Sequence, residues 1–314
     1  MNIAVIGAQW GDEGKGKIVD FLASEADVII RFSGGANAGH TIVKDGKKYA
    51  VHLIPSGILY EDKTVILGIG MVIDAEAMFK ELAELEGKGV NWKGRVFVSD
   101  RAHIVLPSYK ELDKKRDAER LKPIGTTGRG IGVAYANKSG RDGMRVVDMY
   151  DDYYLSVLEG EDKAYVAKYR ELMRDMLIDL TSWVHEKQPP RILLEGAQGV
   201  LLDLDLGTYP YVSSGVSAAA GAALGAGIGP RQIDGVLGVC KAYSTRVGNG
   251  PFPSEFRDEV DGDLGERVRE LGGEYGVTTG RPRRCGYLDL VALKYACIAN
   301  GIDGIVLTKM DIYD

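Results

Sequence analysis

Short β-branched runs at 3–6, 28–31, 64–67, 95–98, 192–194, 236–239 and 305–307 alternate with helix-length amphipathic stretches at 74–86, 108–121, 165–186, 263–271 and 287–299. That alternation restricts the possible folds more than any other feature of the chain. Apolar runs of strand length mark strands covered on both faces, and a long crossover between them is what a parallel pair requires. The expected fold class is therefore α/β, a doubly wound, mostly parallel sheet with helices on both faces. Several helical stretches open with Asp or Ser in a capping position. No Pro/Ser-rich linker, low-complexity tract or internal repeat divides the 314 residues, so one domain over 1–314 with long active-site loops is expected.

The 42 glycines cluster where the expected strands end. Open α/β sheets bind ligands at the carboxyl ends of their strands, and glycine there lets the backbone turn sharply and approach a ligand. The formal charge of −6 argues against a general nucleic-acid binder and leaves small molecules as the expected partners, with local cationic pockets for phosphates. Cys240, Cys285 and Cys297 form no C-x-x-C pair, so neither a disulfide framework nor a zinc knuckle is suggested. Met1 runs directly into the first strand with no room for a signal sequence, and a cytoplasmic location is expected. The uncharged stretch 206–230 contains a G-x-x-x-G at Gly221 and Gly225. Tyr209, Pro210, Tyr211 and several serines make it too polar and broken to span a bilayer, and its Ala/Gly richness suits a helix packed closely inside a soluble protein.

Four segments carry chemistry in their residue types alone. Gly7-Ala8-Gln9-Trp10-Gly11-Asp12-Glu13-Gly14-Lys15-Gly16-Lys17 follows the first strand and opens a helix. From Gly11 it reads G-x-x-x-x-G-K, a phosphate-cradling pattern, with Ile18 where a P-loop NTPase has Ser or Thr. Without that hydroxyl an ordinary NTPase switch is disfavoured, while the backbone N–H groups, Lys15 and Lys17 still suit phosphate. His40 lies in the small-residue loop Ser33-Gly34-Gly35-Ala36-Asn37-Ala38-Gly39-His40-Thr41, a better setting for acid/base work than those of His52, His103 and His185. Arg281, Arg283 and Arg284 form a cationic group whose guanidinium forks suit carboxylates. Thr308-Lys309-Met310-Asp311 resembles the base-reading T/N-K-x-D motif, in which a carboxylate at Asp311 can accept from guanine N1–H and its 2-amino group together, favouring GTP over ATP.

The run 10–17 together with Asn37-Ala38-Gly39-His40-Thr41 resembles the signature of the adenylosuccinate synthetase family. Later segments agree with that family in order: Gly125-Thr126-Thr127-Gly128-Arg129-Gly130-Ile131-Gly132, Glu195-Gly196-Ala197-Gln198-Gly199, 207–212, 246–253, 278–284 and 308–311. Ser213-Ser214-Gly215-Val216-Ser217 stands where the family usually has Thr-Ser-Ser-Asn-Thr, and the family's segment that packs on guanine is expected to be absent or truncated beyond 308–311.

The resemblance implies a GTP-dependent ligase that joins L-aspartate to IMP through 6-phosphoryl-IMP, giving adenylosuccinate, GDP and phosphate in AMP biosynthesis. By resemblance Asp12 is the general base, His40 stabilises the oxyanion on O6, and Lys15 and Gln198 complete the catalytic set. IMP falls to Asp12, Asn37, Thr126, Thr127, Gln198, Ser213, Val247 and Arg281, with Arg141 reaching the site of a neighbouring subunit in a homodimer. Aspartate falls to Thr278, Thr279, Arg281 and Arg283. GTP falls to Gly11, Asp12, Glu13, Gly14, Lys15, Gly16, Lys17, Gly39, His40, Thr41, Arg283, Lys309 and Asp311, and Mg²⁺ to Asp12 and the Gly39 carbonyl. Two other readings share parts of these motifs. A related synthetase acting on a guanine nucleotide such as dGMP would make a 2-amino succinyl product. A GTP-binding switch protein would leave Asn37–His40 and the arginine cluster without purpose.

Overall fold

The computed structural model describes residues 1–44, 46–276 and 280–313. In chain order its strands are β1 (Asn2–Gly7), β2 (Val28–Gly34), β3 (His40–Lys44), β4 (Lys47–Val51), β5 (Thr64–Ile73), β6 (Val96–Ser99), β7 (His103–Ile104), β8 (Leu177–Ile178), β9 (Ile192–Glu195), β10 (Gly235–Lys241), β11 (Ser244–Arg246), β12 (Arg284–Gly286) and β13 (Gly304–Thr308). The helices are α1 (Lys15–Ala23), α2 (Ala75–Gly87), α3 (Pro107–Glu119), α4 (Ile131–Gly140), α5 (Asp152–Val157), α6 (Gly160–Met173), α7 (Leu180–Lys187), α8 (Ala220–Ala226), α9 (Asp258–Asp261), α10 (Leu264–Gly272) and α11 (Leu290–Asn300).

A 9-stranded sheet runs in the order β13-β10-β1-β9-β2-β5-β6-β8, with β7 also paired to β5. Every pairing in it is parallel. All seven strands expected from the sequence lie in this sheet. Side chains alternate between two cores, as the strand period of two dictates. Val5, Ile29, Val65 and Leu67 face one core, closed by Val19 of α1, Leu82 of α2 and Tyr165 of α6. Ala4, Ile6, Ile30 and Ile66 face the other, closed by Leu180 of α7, Ala222 of α8 and Leu293 of α11. Each fully buried Leu, Ile or Val contributes roughly 1.5–3 kcal/mol before chain entropy is counted. The sheet is thus doubly wound.

Helix starts follow local chemistry. Asp74, Asp179 and Asp289 cap α2, α7 and α11 by accepting from Ala77, Ser182 and Ala292 N–H. The last cap explains why the helix expected over 287–299 begins at Leu290. The single helix expected over 165–186 is two helices. Met173 and Met176 keep falling inward, so the apolar period runs on, but Leu177 and Ile178 pair with Val98 and Ser99 at the edge of the sheet.

The Ala/Gly-rich stretch forms α8, pressed onto β2 and β5 at a seam with no side chains. A Cβ on Gly225 or Gly70 would stand 2.1 or 2.2 Å from the Phe32 carbonyl oxygen. Among the described residues no helix is long and apolar enough to cross a membrane. All three cysteines are free thiols, and burial pushes those of Cys240 and Cys285 up to about 11.

Candidate active site

A cleft of about 1010 Å³ is lined by the segments that follow β1, β2, β9, β10 and β13, together with the 124–127 and 211–214 loops and the turn after α10. It lies at the carboxyl ends of the central strands, the position that sheet topology assigns to ligands.

The loop after β1 is folded around Glu13. This carboxylate is fully buried and accepts from the backbone N–H of Gln9 (3.0 Å) and Gly11 (2.9 Å). Lys15 Nζ donates to it at 2.6 Å and is itself buried, so the lysine of the phosphate pattern lines the cleft already paired. Asp12, the next residue back, takes a left-handed backbone conformation (φ 60°) that turns its side chain the other way. It stays about one-third exposed (32%) and sits 2.8 Å from Arg283 Nε. The N–H of Nε is not aimed at the oxygen, so the contact is an ion pair without a directed hydrogen bond.

His40 opens β3 and shares the cleft with Asp12. Its Nδ1 lies 3.0 Å from Glu195 Oε1 and 3.1 Å from Ser56 Oγ, while Glu195 also accepts Ser56 N–H (2.8 Å) and Oγ–H (2.9 Å). Burial pushes the Glu195 carboxyl up, but His40, Arg31 and the Ser56 amide more than offset it and hold it below the usual range. An ionised carboxylate only accepts, so Nδ1 carries a proton and Nε2 is left for the cleft. A Cβ on Gly16 would stand 2.5 Å from His40 Cβ, so the phosphate loop leaves room for this imidazole only because it has glycine there.

The third wall is a loop held by carboxylates. Asp113 and Asp117, one turn apart on α3, accept from Thr126 Oγ1 (3.0 Å) and Gly130 N, and from Ile124 N, Gly125 N and Thr126 N. Thr126, expected to hold phosphate, therefore has both its hydroxyl and its amide occupied by this helix. Thr127, Gln198, Ser213 and Val247 line the cleft, together with Asn37, Gly39, Thr41, Gly11, Gly14 and Lys17. Lys309 and Asp311 line it too; Lys309 Nζ donates to the Gly272 carbonyl (2.7 Å), and Thr308 Oγ1 donates to the Glu13 carbonyl (2.7 Å). This last bond couples the segment after β13 to the loop after β1.

The arginine cluster divides. Arg283 lines the cleft, Arg284 pairs with Glu255 beside Phe252, and Arg281 is exposed and lies outside the cleft wall. Arg141 closes α4 in a left-handed conformation (φ 70°), exposed and also away from the cleft of its own chain. Thr278 and Thr279 lie outside the described residues. Of the other histidines, His52 fixes the Ala38 carbonyl (2.8 Å) and so supports the loop that carries His40.

Several residues of the site carry no role in the sequence reading. Glu195, Ser56, Asp113 and Asp117 act through partners, as does Arg246, which donates to Thr208 Oγ1 and the Tyr211 and Pro251 carbonyls. Burial, with help from Arg284, pushes the Arg246 guanidinium down to about 10. Only the spacing of Asp113 and Asp117, which places both on one helix face, is visible locally.

A family model for adenylosuccinate synthetase matches residues 4–314. The chain belongs to the adenylosuccinate synthetase family. The Caldicellulosiruptor saccharolyticus adenylosuccinate synthetase is 48% identical over 333 residues, covering 98% of this chain and 77% of that protein. The solved, fully ligated adenylosuccinate synthetase of Plasmodium falciparum is 40% identical, with a TM-score of 0.89 over 99% of this chain and 77% of its own. A cyanophage S-2L succinoaminodeoxyadenylate synthetase, solved with dGMP and dATP, has a TM-score of 0.75 at 24% identity over 98% of this chain and 83% of its own, a likeness of fold alone. Adenylosuccinate synthetases are ligases, and the α/β fold matches that of a solved member of the family.

Proposed function

We propose that this chain ligates L-aspartate to IMP at the expense of GTP, with Asp12 and His40 as the reacting pair. The observation that carries this is their placement: both side chains line one cleft, Asp12 from the loop after β1 and His40 at the start of β3. A carboxylate there removes the N1 proton of hypoxanthine, driving negative charge onto O6. The O6 oxyanion then attacks the γ-phosphorus of GTP and GDP departs, while a doubly protonated imidazole, with Nδ1–H on Glu195 and Nε2–H toward the cleft, donates to the charge developing on O6. Phosphorylated O6 is then a leaving group that the aspartate amine can displace, forming the C–N bond and releasing phosphate. Arg283, beside Asp12, brings the aspartate carboxylate to the same place.

The donor set also fits Mg²⁺. Asp12 offers a carboxylate and Gly39 a carbonyl, both hard oxygens lining the cleft, and this cation is commonly held by few protein oxygens together with substrate phosphates. When bound it would neutralise charge on the GTP phosphates. In the same reading 1–314 works as one catalytic unit, cytoplasmic and homodimeric, with exposed Arg141 directed to the neighbouring subunit's nucleotide.

The test is a purine-ultraviolet and phosphate-release assay with Mg²⁺, GTP, IMP and L-aspartate, each omitted in turn. Product only when all are present is the expected outcome. GTP hydrolysis indifferent to IMP and aspartate would mark a switch protein, and turnover of dGMP but not IMP would mark a guanine-nucleotide relative.

A further inference from the structure

The Asp12–Arg283 pair is one link in a closed ring that leaves the phosphate loop and returns to it. Gln9 in that loop exchanges hydrogen bonds with Lys241 at the end of β10: Lys241 N–H donates to Gln9 Oε1 (3.0 Å) and Gln9 Nε2 to the Lys241 carbonyl (3.4 Å). Lys241 Nζ reaches both oxygens of Glu274 at 2.8 Å. Tyr243 Oη–H donates to the same carboxylate at 2.6 Å, and Arg283 Nη1 donates to it at 2.6 Å. Arg283 Nε then faces Asp12, completing the ring.

Glu274 is 1% exposed and Lys241 2%, so this is an interior network, whereas Asp12 opens onto the cleft. Burial pushes the Glu274 carboxyl up, but Lys241, Tyr243 and Arg283 hold it below its usual range. Burial likewise opposes the Arg283 charge, and Asp12 and Glu274 more than offset it. The backbone repeats the connection: Arg283 N–H donates to the Glu274 carbonyl (2.9 Å) and Gly276 N–H to the Arg281 carbonyl (2.8 Å), so 274–276 and 281–283 run side by side.

Every link in the ring except one is a directed hydrogen bond. The exception is Arg283 with Asp12, the link at the cleft surface and therefore the one that an incoming carboxylate can replace. We infer that Glu274, backed by Lys241, is a positioning residue for the substrate amino acid: it holds Arg283 by one edge so that the other edge passes from Asp12 to the substrate carboxylate, freeing the base as aspartate arrives. This rests on the reading above that Arg283 receives the substrate carboxylate. A residue that merely neutralised Lys241 would need no contact with Arg283.

Initial rates of the full chain with Glu274→Gln test it. The amide keeps the shape and removes the charge, so KM for L-aspartate should rise about tenfold or more, the loss expected when a charge-assisted hydrogen bond is weakened. KM for IMP should stay within about twofold, and Glu274→Asp should recover part of the loss. Should Glu274→Gln fail to fold, Tyr243→Phe removes one bond to the same carboxylate without changing charge, and a smaller rise confined to L-aspartate is expected. Equal changes in both KM values, a change in kcat alone, or no change would each overturn the inference. Calorimetric titration of L-aspartate in the presence of IMP and GDP separates the two readings. Tenfold weaker binding in Glu274→Gln supports the positioning role even if the wild-type protein makes no ligation product, and equal affinity sinks it even if the protein does.

Discussion

Asp12 and Glu13 are adjacent in one loop, are both acidic and each pair with a cation, yet they face different surroundings. Glu13 is sealed inside the phosphate loop, saturated by two backbone amides and Lys15. Asp12 faces outward, in contact among the described residues with Arg283. A carboxylate with every lone pair engaged and no access to water fixes geometry; one with an exposed edge and a replaceable partner can exchange protons and ligands. The difference of a single backbone step comes from the left-handed turn at Asp12, which points consecutive side chains into different surroundings.

Substitutions should separate the two carboxylates. Asp12→Asn is expected to lower kcat by about 10²–10⁴-fold, the usual worth of a general base, while the denaturation midpoint stays close to wild type. Steady-state rates beside a urea titration check this, and a variant that is fully active removes Asp12 from the chemistry. Glu13→Gln should instead lower stability: a buried ammonium loses its counter-charge, at a cost of ~3–5 kcal/mol in unfolding free energy. A midpoint unchanged in urea would show that Lys15 finds another partner.

The smallest effect concerns Glu195. Its folded carboxyl lies below the ordinary value of 4.5, so the stability it contributes is present above that pH and is lost as pH falls through the folded value. Wild-type protein should therefore lose stability on acidification below about 4.5 with a steeper slope than Glu195→Gln, by at most about 1.4 kcal/mol per pH unit for one proton. Urea midpoints taken between pH 6 and pH 3 measure it, and parallel slopes would break the comparison.

The sheet was readable in the chain because strands buried on both faces appear as apolar runs, whichever partners they pair with. The pairs β3–β4 and β11–β12, and the short strands β7 and β8, leave no such run; Leu177 and Ile178 read as helix because their neighbours keep a helical period. The site divides in the same way. Gly11–Lys17 and Asn37–Thr41 are contiguous and were visible as patterns. Glu195 and Ser56 lie 139 residues apart, and Lys241 and Glu274 33 apart, so no local spacing announces either contact. Arg281 and Arg283 are two residues apart and look equivalent in sequence, yet only the second lines the cleft.

The bare seam between α8 and the sheet has its own consequence for that cleft. With Gly225 and Gly70 touching the Phe32 carbonyl, nothing compressible lies between the helix and β2, and Tyr135 Oη ties the same place down by bonding Gly34 N–H and the Gly70 carbonyl. A methyl group added there would act as a wedge. Its displacement would pass through Ser33 and Gly34 toward the loop that ends at His40, so the packing of α8 bears on where the imidazole stands.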